Sequence, residues 1–190
     1  AKKESRKIVF AEGEDERVLR AAVALIEETR DQPILIGRPQ VVNSRIEKYG
    51  LPLVPGKDFQ LVNPENDERF RDYWGSYHAL MERRGVTPDL ARSVMRTNST
   101  AIASIMVSRK EADSLVCGCF GQYLWHLEYV KNILAVDGLT PAGALSIMIL
   151  ESGPLFLADT QIYAEPSSEQ VASIVLAAAR HTRRFGIDPR

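Results

Sequence analysis

The sequence predicts a three-layer α/β fold with a mainly parallel sheet, in two domains of which the second is begun and not finished. Three observations lead there. Short apolar runs alternate along the chain with amphipathic stretches of helical period, the pattern of βα units. The chain has 190 residues, 45% hydrophobic and 26% charged, enough apolar material for a real core without staples. It also stops after a helical stretch, where an alternating pattern calls for a further strand.

The elements follow in order. Ile8-Val9-Phe10-Ala11 reads as a first strand, and Glu14-Asp15-Glu16 opens a helix with acids where the helix dipole favours them. Val18, Leu19, Ala22, Leu25 and Ile26 form its apolar stripe. Pro33-Ile34-Leu35-Ile36-Gly37 reads as a buried strand, residues 39–49 as a helix and residues 51–57 as a loop rich in breakers. Phe59-Gln60-Leu61-Val62 is a candidate third strand. Phe70, Tyr73, Trp74, Tyr77 and Met81 recur at helical spacing across residues 67–84, an aromatic stripe that belongs in a core. Thr87-Pro88-Asp89 is a helix start, and a second start falls at Asn98 or Ser99.

Ser114-Leu115-Val116-Cys117 is an apolar strand ending at Gly118, and residues 121–136 read as a helix broken by Asp137-Gly138 and Pro141. Residues 144–150 and 155–158, separated by Ser152-Gly153-Pro154, are close enough to pair as a hairpin. Ser167 with Gln170 supplies a capping box for a last helix, whose apolar face is Val171, Ile174, Val175, Ala178 and Phe185. The first domain is placed at residues 1–137, and 138–190 begins the second.

Charge and composition exclude several classes. Lys and Arg number 24 against 25 Asp and Glu, so no global field draws nucleic acid. No apolar run is long enough to span a bilayer, and the charged opening residues lack a signal core; no membrane partner is expected, and the cytoplasm is the default. Cys117 and Cys119 would point to opposite faces of a strand, and a disulfide between them would be strained, so they read as reduced and buried. His78, His126 and His181 lie on separate predicted helices without metal-ligand spacing, and Cys117, Cys119 and His126 lack a fourth ligand.

Three places merit attention as sites. Gly118-Cys119-Phe120-Gly121 follows a strand and precedes a helix, where open α/β sheets bind ligands, though the same residues make a tight turn. Arg96, Thr97, Asn98 and Ser99 put a cation and hydroxyls at a helix start, a place for an anion or for ordinary capping. Asp159-Thr160 ends an apolar strand and either orients a ligand or caps a turn. No nucleophile–base pair emerges.

Lys7-Ile8-Val9-Phe10-Ala11-Glu12-Gly13-Glu14-Asp15-Glu16-Arg17-Val18 resembles the opening of phosphate acetyl/butyryltransferases. So do Glu111-Ala112-Asp113-Ser114-Leu115-Val116-Cys117-Gly118, Phe156-Leu157-Ala158-Asp159-Thr160 and Glu165-Pro166-Ser167-Ser168-Glu169-Gln170, and the resemblance runs along essentially the whole chain. Gly85-Val86-Thr87-Pro88, Met95-Arg96-Thr97-Asn98-Ser99-Thr100, Phe120-Gly121-Gln122-Tyr123-Leu124-Trp125-His126 and Arg183-Arg184-Phe185-Gly186-Ile187-Asp188-Pro189 resemble, more narrowly, the phosphotransacetylase-like carboxyl-terminal domain of large bacterial malic enzymes.

The resemblance implies the phosphotransacetylase/isocitrate-dehydrogenase-like form of the fold. It also implies a regulatory and oligomerisation module that binds acetyl-CoA as an inhibitor and self-associates. Malate decarboxylation, with NADP and a divalent metal (Mg or Mn), would lie on an amino-terminal catalytic domain of the same parent chain. No catalytic residue and no metal ligand is expected among these residues. After Gly118 the true transferases carry a run of hydroxyls and an arginine suited to phosphate. Here Gln122-Tyr123-Leu124-Trp125-His126-Leu127-Glu128-Tyr129 stands instead; Tyr123 and Trp125 are expected to refill the space and Glu128 to repel phosphate. An active phosphate acetyltransferase and a ligand-free oligomerisation domain are the alternatives.

Overall fold

The structure, a computed structural model, describes residues 5–135, 143–159 and 161–189. They form two compact units, 1–134 and 135–190, and each is described by itself. The breaks read at Asp137-Gly138 and Pro141, and the boundary at Asp137, lie outside the described residues.

In the first unit, β1 (Lys7–Phe10), β2 (Gln32–Ile36), β3 (Gln60–Val62) and β4 (Ser114–Val116) make a sheet of order β3-β2-β1-β4. Every pairing is parallel: Val9 lies opposite Ile34 and Leu115, and Leu35 opposite Leu61. The two-residue period of the strands sorts the core. Val9, Ala11, Ile34, Ile36 and Val62 pack on one face; Phe10 and Leu35, with Ile8 and Leu61, pack on the other.

The second of these faces is covered by α1 (Glu16–Glu28) and α2 (Pro39–Tyr49), through Val18, Leu19, Ala22, Val42 and Ile46. The first is covered by α3 (Phe70–Met81), α4 (Pro88–Thr97), α5 (Ser99–Ser108) and α6 (Tyr123–Leu134). The result is the three-layer arrangement expected. At the centre sits α5, whose residues from Thr100 to Met106 are all buried; a helix apolar on all sides belongs inside.

The helix ends follow local chemistry. Helix α1 starts two residues later than read, because Asp15 is its cap: the Asp15 carboxylate accepts the Arg17 backbone N–H at 2.9 Å. The Arg17 side chain closes back on the same carboxylate. These Arg17 hydrogen bonds hold the Asp15 carboxyl down at about 2, against an ordinary 3.8. A depressed folded pKa contributes stability above the unfolded value and loses it as pH falls through the folded one. Acid titration of the chain and of D15N, which keeps a capping oxygen, is therefore expected to show the largest stability gap above pH 3.8 and convergence near 2. The gap is expected to be small, because the pair is open to solvent screening.

Helix α2 stops where Gly50 turns left-handed, φ 60°. Thr87 caps α4, with Pro88 at its first position. Asn98 ends α4 and caps α5, accepting the Ala101 N–H at 2.9 Å, so of the two starts read there Asn98 is the cap. The aromatic stripe is core: Tyr73, Tyr77 and Met81 are buried on α3. The helix begins at Phe70 and not at Asp67, because Asp67 is engaged by the Arg69 backbone and guanidinium.

In the second unit, β5 (Leu145–Leu150) and β6 (Gly153–Ala158) form an antiparallel hairpin with Leu150 opposite Gly153. Gly153 supplies φ 119° at the turn. Helix α7 (Ser168–Arg184) opens on the capping box, with both the Ser167 and Gln170 side-chain bonds made. Its predicted apolar face is less buried than its period implies. Ile174 is buried, but Val171, Val175 and Phe185 remain exposed, since a two-stranded hairpin is too narrow to cover a 17-residue helix. Among the described residues no helix is long and apolar enough to cross a membrane.

Candidate functional site at the strand carboxyl ends

Strand β1 lies between β2 and β4: the chain runs outward from it through β2 to β3, then crosses back to β4 on its other side, so the strand order reverses there. The crevice outside the carboxyl ends of such strands is where open α/β sheets take ligands. Two loops meet there, residues 11–15 after β1 and residues 117–122 after β4. A cleft of about 410 Å³ opens beside them, with Glu12, Glu14, Asp15, Arg45, Ser99 and Phe120 in its lining. A second pocket of about 280 Å³ is lined by Cys117, Gly118, Gly121, Tyr123, His126 and Leu127, with Val130.

The acids of the first cleft differ in their partners. Arg38 binds both Glu14 oxygens at 2.9 Å, which lowers the Glu14 pKa against the opposing effect of burial. The Arg45 guanidinium donates to the Glu14 carbonyl. Asp15 belongs to Arg17, whose Nη2 also donates to the Cys119 carbonyl at 2.7 Å. Among the described residues Glu12 has no such arginine. It is 5% exposed, its Oε1 accepts the Gly118 N–H at 2.9 Å, and its Oε2 is buried with no hydrogen-bond partner among the described residues.

His126 locks the other side of the same loop. It is 5% exposed. The Phe120 carbonyl, 2.7 Å away, can only accept, so Nε2 carries the proton and donates. Nδ1 is hydrogen-bonded to the buried Thr100 hydroxyl at 2.8 Å. Nδ1 stands 4.0 Å from Glu12 Oε1. Between these clamps the loop turns through two left-handed glycines, Gly118 at φ 95° and Gly121 at φ 92°. A side chain at Gly121 would also stand 3.0 Å from His126 Nε2.

The residues singled out from sequence divide accordingly. Gly118 and Gly121 share the loop, and both line the smaller pocket. Ser99 reaches the larger cleft. Asn98 is buried as a cap, its Nδ2 without a partner among the described residues. Thr97 spends its hydroxyl on the Ser93 carbonyl at 2.9 Å. Arg96 lies over the Phe70 ring, 4.9 Å from its centroid; neither it nor Thr97 lines a pocket at the strand ends. Asp159 is in the second unit, in a left-handed conformation at φ 53°, its N–H on the Ala144 carbonyl at 2.6 Å. Both its carboxylate oxygens are buried without a hydrogen-bond partner among the described residues. Thr160 lies outside the described residues.

One expectation is corrected. Trp125, expected with Tyr123 to refill the space beside the glycine loop, does not line the pocket there, and neither does Glu128, expected to repel phosphate. Glu128 is exposed and near enough to Tyr77 to help burial raise that phenol's pKa. Trp125 stands edge-on to Tyr129 with ring centres 5.6 Å apart. Of the bulky residues read there, Tyr123 alone lines the pocket. The acid that meets the loop is Glu12, which sequence reasoning passed over.

The chemistry open to this arrangement is narrow. Both His126 nitrogens are engaged, so the ring holds structure rather than serving as a free base. Burial, then the Glu12 charge, pushes the Cys117 thiol up and away from thiolate reactivity. The Gly118 N–H, which an anion-cradling turn would offer to a ligand, is taken by Glu12. Among the described residues no group of three or more His, Cys, Asp or Glu could hold a metal ion. The Gly118–Gly121 turn also lacks the spacing of a dinucleotide fingerprint.

Parallel sheet, three layers and a strand-end crevice define a class of three-layer α/β domain. Comparison places it further: residues 1–190 match the family model described as phosphate acetyl/butaryl transferase, and the chain belongs to that family. Among curated proteins it is similar to the NAD-dependent malic enzyme of Rhizobium meliloti (strain 1021), 49% identical over 97% of this chain and 24% of that protein. It is 46% identical to the NADP-dependent malic enzyme of Escherichia coli (strain K12), over 100% of this chain and 25% of that protein. The phosphate acetyltransferase of Nitratidesulfovibrio vulgaris is 30% identical over 100% of this chain and 27% of its own length. The chain thus spans about a quarter of the length of the curated relatives it matches. Among solved structures, a phosphotransacetylase from Streptococcus pyogenes aligns with TM-score 0.86 and 26% identity, over 97% of this chain and 56% of that one. The EutD phosphotransacetylase from Staphylococcus aureus aligns with TM-score 0.81 and 25% identity, over 97% and 55%.

Proposed function

We propose that this chain is the phosphotransacetylase-like regulatory and oligomerisation module of a malic enzyme, and that it senses acetyl-CoA without transferring an acetyl group. The observation that carries this reading is the identity to malic enzymes, 49% and 46% over 97% and 100% of this chain, against 30% to a phosphate acetyltransferase. A transferase acting on phosphate needs donors and positive charge where the anion sits. At the strand ends the buried Glu12 carboxylate already occupies the Gly118 N–H, although Glu12 lies in a stretch that the transferases resemble. Glu14 and Asp15 add acid to the cleft, each with its arginine already engaged.

The high identity to malic enzymes over the whole of this chain, against a quarter of theirs, supports a parent that decarboxylates malate oxidatively. In this reading NADP, the divalent metal and the chemistry reside on an amino-terminal domain of the parent chain. The phosphate acetyltransferase relative and the solved phosphotransacetylases keep the transferase reading as the competitor.

One set of assays separates the readings. The full-length parent is expected to oxidise malate with NADP and Mg or Mn. Acetyl-CoA is expected to inhibit it and to raise its melting temperature. Acetyl phosphate formed at enzymatic rates would establish the transferase instead. Unchanged activity and melting temperature with acetyl-CoA would leave a purely structural module.

A further inference from the structure

Helices α3 and α4 carry a feature that the cleft does not use. Arg92 lies over Trp74, 4.5 Å from the ring centroid, and Arg96 lies over Phe70 at 4.9 Å. Both pairs are four residues apart on their own helix, one turn. The two stacks therefore form a ladder of two rungs between neighbouring antiparallel helices, Arg92 on Trp74 and Arg96 on Phe70. The rings are half-buried, and both arginines are exposed.

Neighbouring arginines are used differently. Arg69 and Arg109 also approach a ring, that of Tyr73, but both are neutralised. Arg69 binds Asp67 and Glu111, and Arg109 binds Glu111 and Asp72. Tyr73 donates its hydroxyl to Glu111 at 2.7 Å and closes that network. Arg96, by contrast, makes no hydrogen bond or ion pair among the described residues. Arg92 meets only Asp89, whose side chain is 91% exposed.

A guanidinium held over a ring gives up side-chain freedom before any ligand arrives while its N–H donors point away from the ring face. Binding a carboxylate there then costs little further ordering. Arginine, tryptophan and their aromatic neighbours are also the side chains that dominate binding energy at interfaces.

We propose that the Arg92–Arg96 ladder is a docking surface for an acidic helix of a partner protein that presents carboxylates one turn apart. The one-turn spacing of the rungs matches the spacing of such carboxylates; Arg96 offers a bidentate fork, and Arg92 offers one by exchanging the solvent-exposed Asp89 for the incoming carboxylate. A cleft-bound metabolite does not account for it, because neither arginine lines either pocket at the strand ends.

The test uses the full chain and a labelled synthetic helical peptide carrying Glu at two positions four apart, with Gln and Lys counterparts, read by fluorescence anisotropy. The Glu peptide is expected to bind about tenfold more tightly than the Gln peptide, and the Lys peptide not at all. Binding should weaken several-fold between about 50 and 300 mM salt. R92K and R96K keep the charge and lose the fork, and each is expected to weaken the Glu peptide about tenfold while melting like wild type. R71K, on an exposed arginine off the ladder, should leave binding unchanged. Equal binding of the Glu and Gln peptides, or no effect of R92K and R96K, would overturn the proposal. So would displacement of the peptide by inorganic pyrophosphate at the peptide's own concentration, which would mark a small-anion site.

Discussion

Replacing Gly13 by alanine is expected to be among the most destabilising single changes in the first unit. A Cβ there would stand 2.8 Å from the Ile36 carbonyl oxygen, 2.8 Å from Leu35 Cβ and 2.9 Å from the Ile36 nitrogen. Two of these are backbone atoms of β2, which cannot swing aside as a side-chain tip can. The Gly13 N–H also donates to the Ile36 carbonyl at 3.0 Å, so the loop after β1 cannot lift away without losing that bond. Overpacking against backbone costs about 3 kcal/mol, a large part of the roughly 5–15 kcal/mol that holds a domain together. Urea denaturation of G13A should show a midpoint shift of that size at an unchanged slope. G50A is the control: Gly50 has φ 60° with open space around it, so only the left-handed penalty of about 1 kcal/mol applies. If G13A costs no more than G50A, the loop and β2 are less closely joined than the geometry states.

Gly13 also shows where the sequence is legible. Strands β1 to β4, the Thr87 and Asn98 caps, the capping box at Ser167 and the hairpin all follow from signals within a few residues of each other: apolar runs, capping hydroxyls, proline at a first turn. Gly118 and Gly121 stand out for the same reason, since a left-handed turn needs glycine locally. What escaped is long-range. Glu12 reads as a polar residue after a strand, and only its bond to Gly118, across the sheet from β1 to β4, shows it to be buried and engaged. His126 looks like any histidine on an amphipathic helix until the fold brings Thr100 and the Phe120 carbonyl to its two nitrogens. Trp125 and Glu128 misled because helical phase alone does not say which face of α6 meets the loop. Burial decides that: His126 and Ile133 turn inward, and Trp125 and Glu128 do not.

The His126 cluster yields the second large effect. His126→Leu removes a ring that satisfies two groups at once. The Phe120 carbonyl loses its partner inside the protein, at about 1–3 kcal/mol, and the buried Thr100 hydroxyl loses one of its two partners, keeping the Cys117 thiol; the expected total is about 2–4 kcal/mol. The loss should be uneven. Hydrogen exchange at residues 118–122 should accelerate far more than at β1 and β2, because the loop is held by His126 on one side and Glu12 on the other while the strands keep their ladder. Cys117 reports the same event chemically: its half-buried thiol should react faster with a thiol reagent in the variant, as the ring that shares its pocket is gone. His126→Gln, which can still reach one of the two partners, is expected to fall between wild type and leucine. Glu12→Gln keeps an acceptor for the Gly118 N–H while removing the charge, so combining it with His126→Leu gives a double-mutant cycle. A coupling above about 0.5 kcal/mol means that Glu12 and His126 hold the glycine loop as one device. Strict additivity, with exchange at the loop no faster than elsewhere, would mean that each residue supports the fold alone and that the loop needs neither to keep its shape.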